Sequence, residues 1–119
     1  MVENNLLLNK SDSLVKNIYK STIEFPYKYQ SSIGDQLRRS SLSIVLNIVE
    51  GGAQFRLKER ARYLRISYAS LKETKYLIYF ANNFTLIEKD IYLKIKDDIN
   101  QLARILYGLI RKNRQSIGK

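Results

Sequence analysis

The sequence contains no cysteine and no histidine. The first absence excludes a disulfide framework and thiol chemistry, and it fits a reducing compartment. The second removes the commonest general base and the commonest transition-metal ligand. Together they argue against a zinc site, and the Glu-x-x-His pairs of di-iron bundles cannot be built. Asp90, Asp97 and Asp98 are read as a solvated acidic first half of the last helix rather than a cation site. Proline occurs once and glycine five times in 119 residues. No glycine-rich phosphate loop is present: "GGAQFR", residues 51–56, follows a helical pattern and not the strand such a loop requires. No apolar run approaches the length needed to span a bilayer. The first residues, "MVENNLLLNKSD", lack a basic region followed by a long apolar segment, so no signal peptide is expected. The protein is expected to be cytoplasmic, to use no cofactor or metal, and not to be an enzyme.

Acidic residues are scarce as well. Eleven Asp and Glu face 21 Lys and Arg, a formal net charge of +10. That balance attracts polyanions, nucleic acid first and an anionic membrane surface second. It does not bear on fold. Hydrophobic residues make up 45% of the chain, too many for a disordered polymer.

The pattern reads helical throughout. A first helix is expected over 12–25, with Leu14, Val15, Ile18, Tyr19 and Ile23 as its apolar stripe. Pro26 ends it by pushing Phe25 out of the α region. A loop over 27–31 leads to a second helix over 32–49, with Ile33, Leu37, Ser41, Ile44 and Ile48 on one face. Gly51 and Gly52 are expected to close it in the left-handed conformation. A third helix over 57–83 carries Leu57, Ala61, Leu64, Tyr68, Leu71 and Ile78 at alternating steps of four and three, a coiled-coil-like seam interrupted by Lys75. Asn82 or Asn83 is expected to end it. A fourth, over 88–112, carries Ile91, Ile95, Ile99, Leu102, Leu106 and Leu109. Long helices joined by short loops imply one all-α domain, an antiparallel up-down four-helix bundle over 12–112. Residues 1–11 are expected as an N-terminal extension and 113–119 as a basic flexible tail.

Basic residues cluster. Arg56, Lys58, Arg60, Arg62, Arg65, Lys72 and Lys75 stand against Glu59 and Glu73, and no acidic residue follows Ile99. Lys58, Arg62 and Arg65 share a helix face, and such a stripe can track phosphates. The plainer alternative is a row of solvated surface charges; the whole-chain excess favours polyanion binding. Tyr63, Tyr68, Tyr76 and Tyr79 lie among these residues. Exposed rings can stack on bases, but core edges and subunit interfaces are the better-founded places for them.

The stretch "QLRRSSLSIVLNIVEGGAQ", residues 36–54, sets Asn47 and Glu50 inside an apolar run. They are neighbours on one helix face, with Arg39 roughly on the same side. Half-buried polar groups need partners, so a structural network is one explanation. This stretch resembles the four-helix-bundle family of 23S ribosomal RNA intervening-sequence proteins, the S23-type proteins. Gln36, Arg38, Arg39, Ser43, Ile44, Asn47, Ile48, Glu50 and Gly51 match the family's pattern here. "LVKNIYKSTIEFP" resembles its first helix, and "KERARYLRISYASLKET" its third, with Ser70 and Glu73 in place. Val45 and Leu46 depart from it, replacing a proline and a small polar residue, so a kink is expected to be weaker or absent.

The resemblance implies a bundle that assembles as a homopentamer. It also implies kinship with the basic accessory variability determinant protein of diversity-generating retroelements, which binds nucleic acid and a reverse transcriptase. Arg38, Arg39, Asn47 and Glu50, with Gly51, Ser70 and Glu73, then belong either to an intramolecular network or to a subunit interface. The expected function is oligomeric nucleic-acid binding, RNA favoured over DNA and no membrane involved. Arg56, Lys58, Arg62, Arg65, Arg111, Lys112 and Arg114 are the candidate phosphate contacts. Two alternatives are an interaction scaffold for a partner such as a reverse transcriptase, and a structural oligomer with no nucleic-acid role.

Overall fold

Four long helices carry the chain in a computed structural model that describes residues 2–117: α1 (Val2–Thr22), α2 (Asp35–Gly52), α3 (Leu57–Asn83) and α4 (Lys89–Ile117). α1 packs on α2 and α4, and α3 packs on the same two. The result is an up-down bundle measuring 50 × 23 × 20 Å. The stripes meet along its axis. Leu14, Ile18, Leu37, Ile44, Leu71, Ile78, Ile95, Ile99, Leu102 and Leu106 are all buried. Each such side chain contributes about 1.5–3 kcal/mol of transfer free energy.

Both ends of the chain are more helical than the pattern suggested. α1 starts at Val2, so the expected extension is helix, and Leu7 is 0% exposed. Leu7, Ser11, Leu14 and Ile18 continue one stripe at steps of four and three, with the Ser11 hydroxyl donating to the Leu8 carbonyl at 3.0 Å. Lys10 Nζ donates to Gln101 Oε1 at 3.2 Å, tying this part of α1 to α4. α4 likewise runs to Ile117, through residues expected in the tail; residues 118 and 119 lie outside the described part. Two stripes rotate at their ends. Thr22 is buried where Tyr19 and Ile23 are exposed, and Tyr92 is buried where Ile91 is exposed.

The segment expected as a loop after Pro26 is instead helical. One turn over Tyr27–Tyr29 runs into a π-helical turn over Gln30–Gly34. Gln30 organises it: its Nε2 donates to the carbonyls of Thr22 and Phe25, at 2.8 and 2.9 Å, serving the open end of α1. Arg38 Nη2 donates to the Gln30 carbonyl at 2.9 Å and Nη1 to its side-chain oxygen at 3.3 Å. Gly34 is needed because a Cβ there would sit 3.0 Å from the Tyr29 carbonyl oxygen.

The glycines at the end of α2 do not act as a left-handed cap. Both are helical, and no glycine among the described residues has positive φ. Gly51 serves close packing instead: a Cβ there would meet the Tyr63 Cβ at 3.3 Å and the Arg60 carbonyl oxygen at 3.5 Å. The left-handed residue is Thr85, φ 57°, after α3. Leu86 N–H donates to the Ala81 carbonyl at 2.9 Å and Thr85 N–H to the Asn82 carbonyl at 3.1 Å, forming a Schellman closure.

Candidate nucleic-acid interface

The α2–α3 seam takes up most of the motif residues. The hydroxyls of Ser40 and Thr74 are 2.8 Å apart, as are those of Ser43 and Ser70. Ser67 donates to the Ile44 carbonyl at 2.8 Å. Asn47 Nδ2 donates to the Ser43 carbonyl at 2.8 Å and to its hydroxyl at 3.1 Å. With Gly51, these small residues bring the two backbones close and leave their polar groups paired.

Asn47 therefore belongs to an intramolecular network, and Glu50 does not join it. Glu50 is exposed, and among the described residues it has no ion pair. Arg38 holds the π turn, Arg39 pairs with Asp35 on the surface at 3.1 Å, and Glu73 accepts from Gln36 at 3.0 Å. Two of the three acidic residues of α4 are tied locally: Asp98 to Lys94 at 2.7 Å, Asp97 to Gln101 at 2.8 Å. Among the described residues no acidic group is arranged to hold a metal ion.

The candidate phosphate contacts are all exposed. Arg56 precedes α3, Lys58, Arg62 and Arg65 lie in its first turns, and Arg111, Lys112 and Arg114 lie in the last turns of α4. Because α3 and α4 run antiparallel, both groups stand at one end of the bundle. Arg62 also reaches Glu59 at 3.8 Å, and its guanidinium lies 5.1 Å from the Tyr63 ring centre. Arg60 is set apart from this stripe: its Nη2 donates to the Gln54 carbonyl at 2.7 Å, latching the turn before α3, while its buried Nε has no partner.

Pairing α3 with α4 also creates a furrow that neither helix shows alone. Tyr68 on α3 and Tyr107 on α4 have ring centres 6.2 Å apart. Lys72 lies 5.3 Å from the Tyr68 ring, and Arg111 5.9 Å from the Tyr107 ring. One open hollow, about 400 Å³, is lined by Lys72, Lys75, Tyr76, Tyr79, Tyr92 and Lys96. A second, about 360 Å³, shares Lys72 and adds Tyr68, Arg104 and Tyr107. No carboxylate lines either one. Lys75, the anomaly on the α3 seam, is half-buried in this wall, while Thr74 fills the core position beside it.

The fold and its surface define a class: a basic, all-helical bundle with a cationic aromatic furrow and a hydroxyl-rich internal seam. The model of the 23S rRNA-intervening sequence protein family matches residues 3–108, and the chain belongs to this family. A crystal structure of an S23 ribosomal protein family member of unknown function, from Bacteroides thetaiotaomicron, has the same fold. It superposes with a TM-score of 0.81 at 21% identity, covering 92% of this chain and 98% of that one. No curated protein matches the chain. Neither the family's description nor the neighbour's indicates an enzyme. Among the described residues no helix is long and apolar enough to cross a membrane.

Proposed function

We propose that the protein is a non-enzymatic, oligomeric nucleic-acid-binding bundle that favours RNA and acts within a ribonucleoprotein. The observation that carries this is the grouping of Lys72, Lys75, Lys96 and Arg104, none with a carboxylate partner among the described residues, between α3 and α4 in a chain with net charge +10. The ion pairs Lys16–Asp12, Arg39–Asp35, Arg62–Glu59 and Lys94–Asp98 all lie outside the two hollows. The family's description, which names a 23S rRNA intervening sequence, supports RNA over DNA. Assembly is supported by a further feature of α2. Leu42, Leu46 and Val49 form an exposed stripe at steps of four and three, and Phe55 beyond it is 99% exposed. Apolar surface of this kind fits contact between copies, and the pentamer implied by the resemblance is the proposed form. The test is a titration of nuclease-treated protein with structured RNA, single-stranded DNA and duplex DNA at two salt concentrations. Saturable, salt-sensitive binding strongest for RNA is expected; absence of saturable binding would remove the proposal.

A second reading, docking of a protein such as a reverse transcriptase, is supported by an apolar hollow of about 470 Å³ lined by Tyr29, Ile33, Leu77, Phe80 and Phe84. Pull-down with a purified reverse transcriptase, repeated with Leu77→Asp, tests it.

A further inference from the structure

We infer that the furrow between α3 and α4 is a track for an unpaired strand, with bases stacking on its tyrosines and phosphates held by its lysines. This rests on the nucleic-acid reading and specifies the form of the ligand. Tyrosines at a core edge keep little ring surface in water, yet Tyr76 is 60% exposed, and Tyr79 and Tyr107 are each 51% exposed. They stand beside cations that have no carboxylate partner among the described residues: Lys72, Lys75, Lys96 and Arg104. Rings and charges interleave along both walls. Tyr68 and Tyr76 are eight residues apart on one helix, about 12 Å at the helical rise, with Lys72 between them. The furrow therefore repeats its pairing of ring and cation along its length.

The geometry selects the ligand. A duplex offers phosphates to the outside, but its base faces are stacked inside and cannot reach tyrosine. Unpaired nucleotides present both. The outer stripe of Lys58, Arg62 and Arg65 can attract either form; the furrow rewards only the unpaired one.

The experiment measures anisotropy of a fluorescein-labelled oligouridine of about a dozen nucleotides, and of an RNA duplex of the same length, with the intact chain. The unsubstituted protein should prefer the single strand. Tyr76→Leu with Tyr79→Leu should weaken oligouridine binding by on the order of tenfold per ring, leaving duplex binding nearly unchanged. Tyr76→Phe with Tyr79→Phe keeps the rings and should bind like the unsubstituted protein. Both positions are exposed, and circular dichroism confirms that the variants fold. Equal affinity for both RNAs, or oligouridine binding untouched by the leucine pair, overturns the track while nucleic-acid binding stands. No saturable binding to either RNA removes both.

Discussion

The hydroxyls of Ser43 and Ser70 face each other at 2.8 Å across the α2–α3 seam, and Asn47 donates to the same Ser43 oxygen at 3.1 Å. One small side chain thus joins two helices and orients a third polar group. Ser43→Ala should cost about 1–2 kcal/mol, because it leaves Ser70 and Asn47 each short of a partner in a partly buried place. Urea unfolding followed by circular dichroism measures it. An unchanged midpoint would mean that water serves both groups equally well.

The two adjacent glycines should respond in opposite directions. A Cβ at Gly52 meets nothing within 4 Å, so Gly52→Ala should stabilise the chain by up to about 1 kcal/mol through helix propensity. Gly51 faces the Tyr63 Cβ and the Arg60 backbone. Gly51→Leu must push α2 and α3 apart and should cost about 1–3 kcal/mol. Thermal melts of the two variants side by side decide this.

Thr85 holds a left-handed backbone with a β-branched side chain, at φ 57°. That conformation costs on the order of 1–3 kcal/mol in a non-glycine residue. Thr85→Gly should recover part of it, about 0.5–1 kcal/mol after the added freedom of the unfolded chain is subtracted. A melting temperature at or below that of the parent would contradict the account of strain.

Reversing Arg62 and Arg65 to Glu should weaken RNA binding and flatten its dependence on salt, since each lost phosphate contact on a single strand lowers the log–log slope by roughly 0.7. Both side chains are exposed, so the melting temperature should hardly move. Unchanged affinity at moderate salt would place binding elsewhere.

Leu46→Lys puts a charge in the middle of the exposed α2 stripe. If copies meet there, sedimentation should show a smaller species with unchanged helicity. An unaltered mass would exclude this face as the contact.

The helical stripes were readable because burial imposes a period. Leu14, Leu37, Ile44, Leu71 and Ile99 fell where spacing put them. The π turn was not readable, since it depends on Gln30 and Arg38 meeting after the chain has bent. Gly51 and Gly52 looked like a stop signal because tight packing and left-handed backbone both select glycine; only the position of Tyr63 separates the two causes. The first turns of α1 do not show in the pattern because Leu6, Leu7 and Leu8 are three consecutive leucines with no helical spacing, and only the packed bundle separates the buried Leu7 from the exposed Leu6 and Leu8. The furrow was half visible. Lys75 broke the α3 seam and tyrosines lay nearby, but Lys96, Arg104 and Tyr107 join them only once the α3–α4 register is known.

The bond from Lys10 to Gln101 spans 91 positions of sequence, whereas α1 and α2, α2 and α3, and α3 and α4 pack as neighbours along the chain. Loop closure over a long separation costs more entropy than closure over a short one. During synthesis α2 and α3 can pair while α4 is still within the ribosome. The side of α1 that faces α4 must wait until α4 itself has emerged. Through that interval Lys10 lacks its Gln101 partner, so the α1–α4 contact is the last side of the bundle to close.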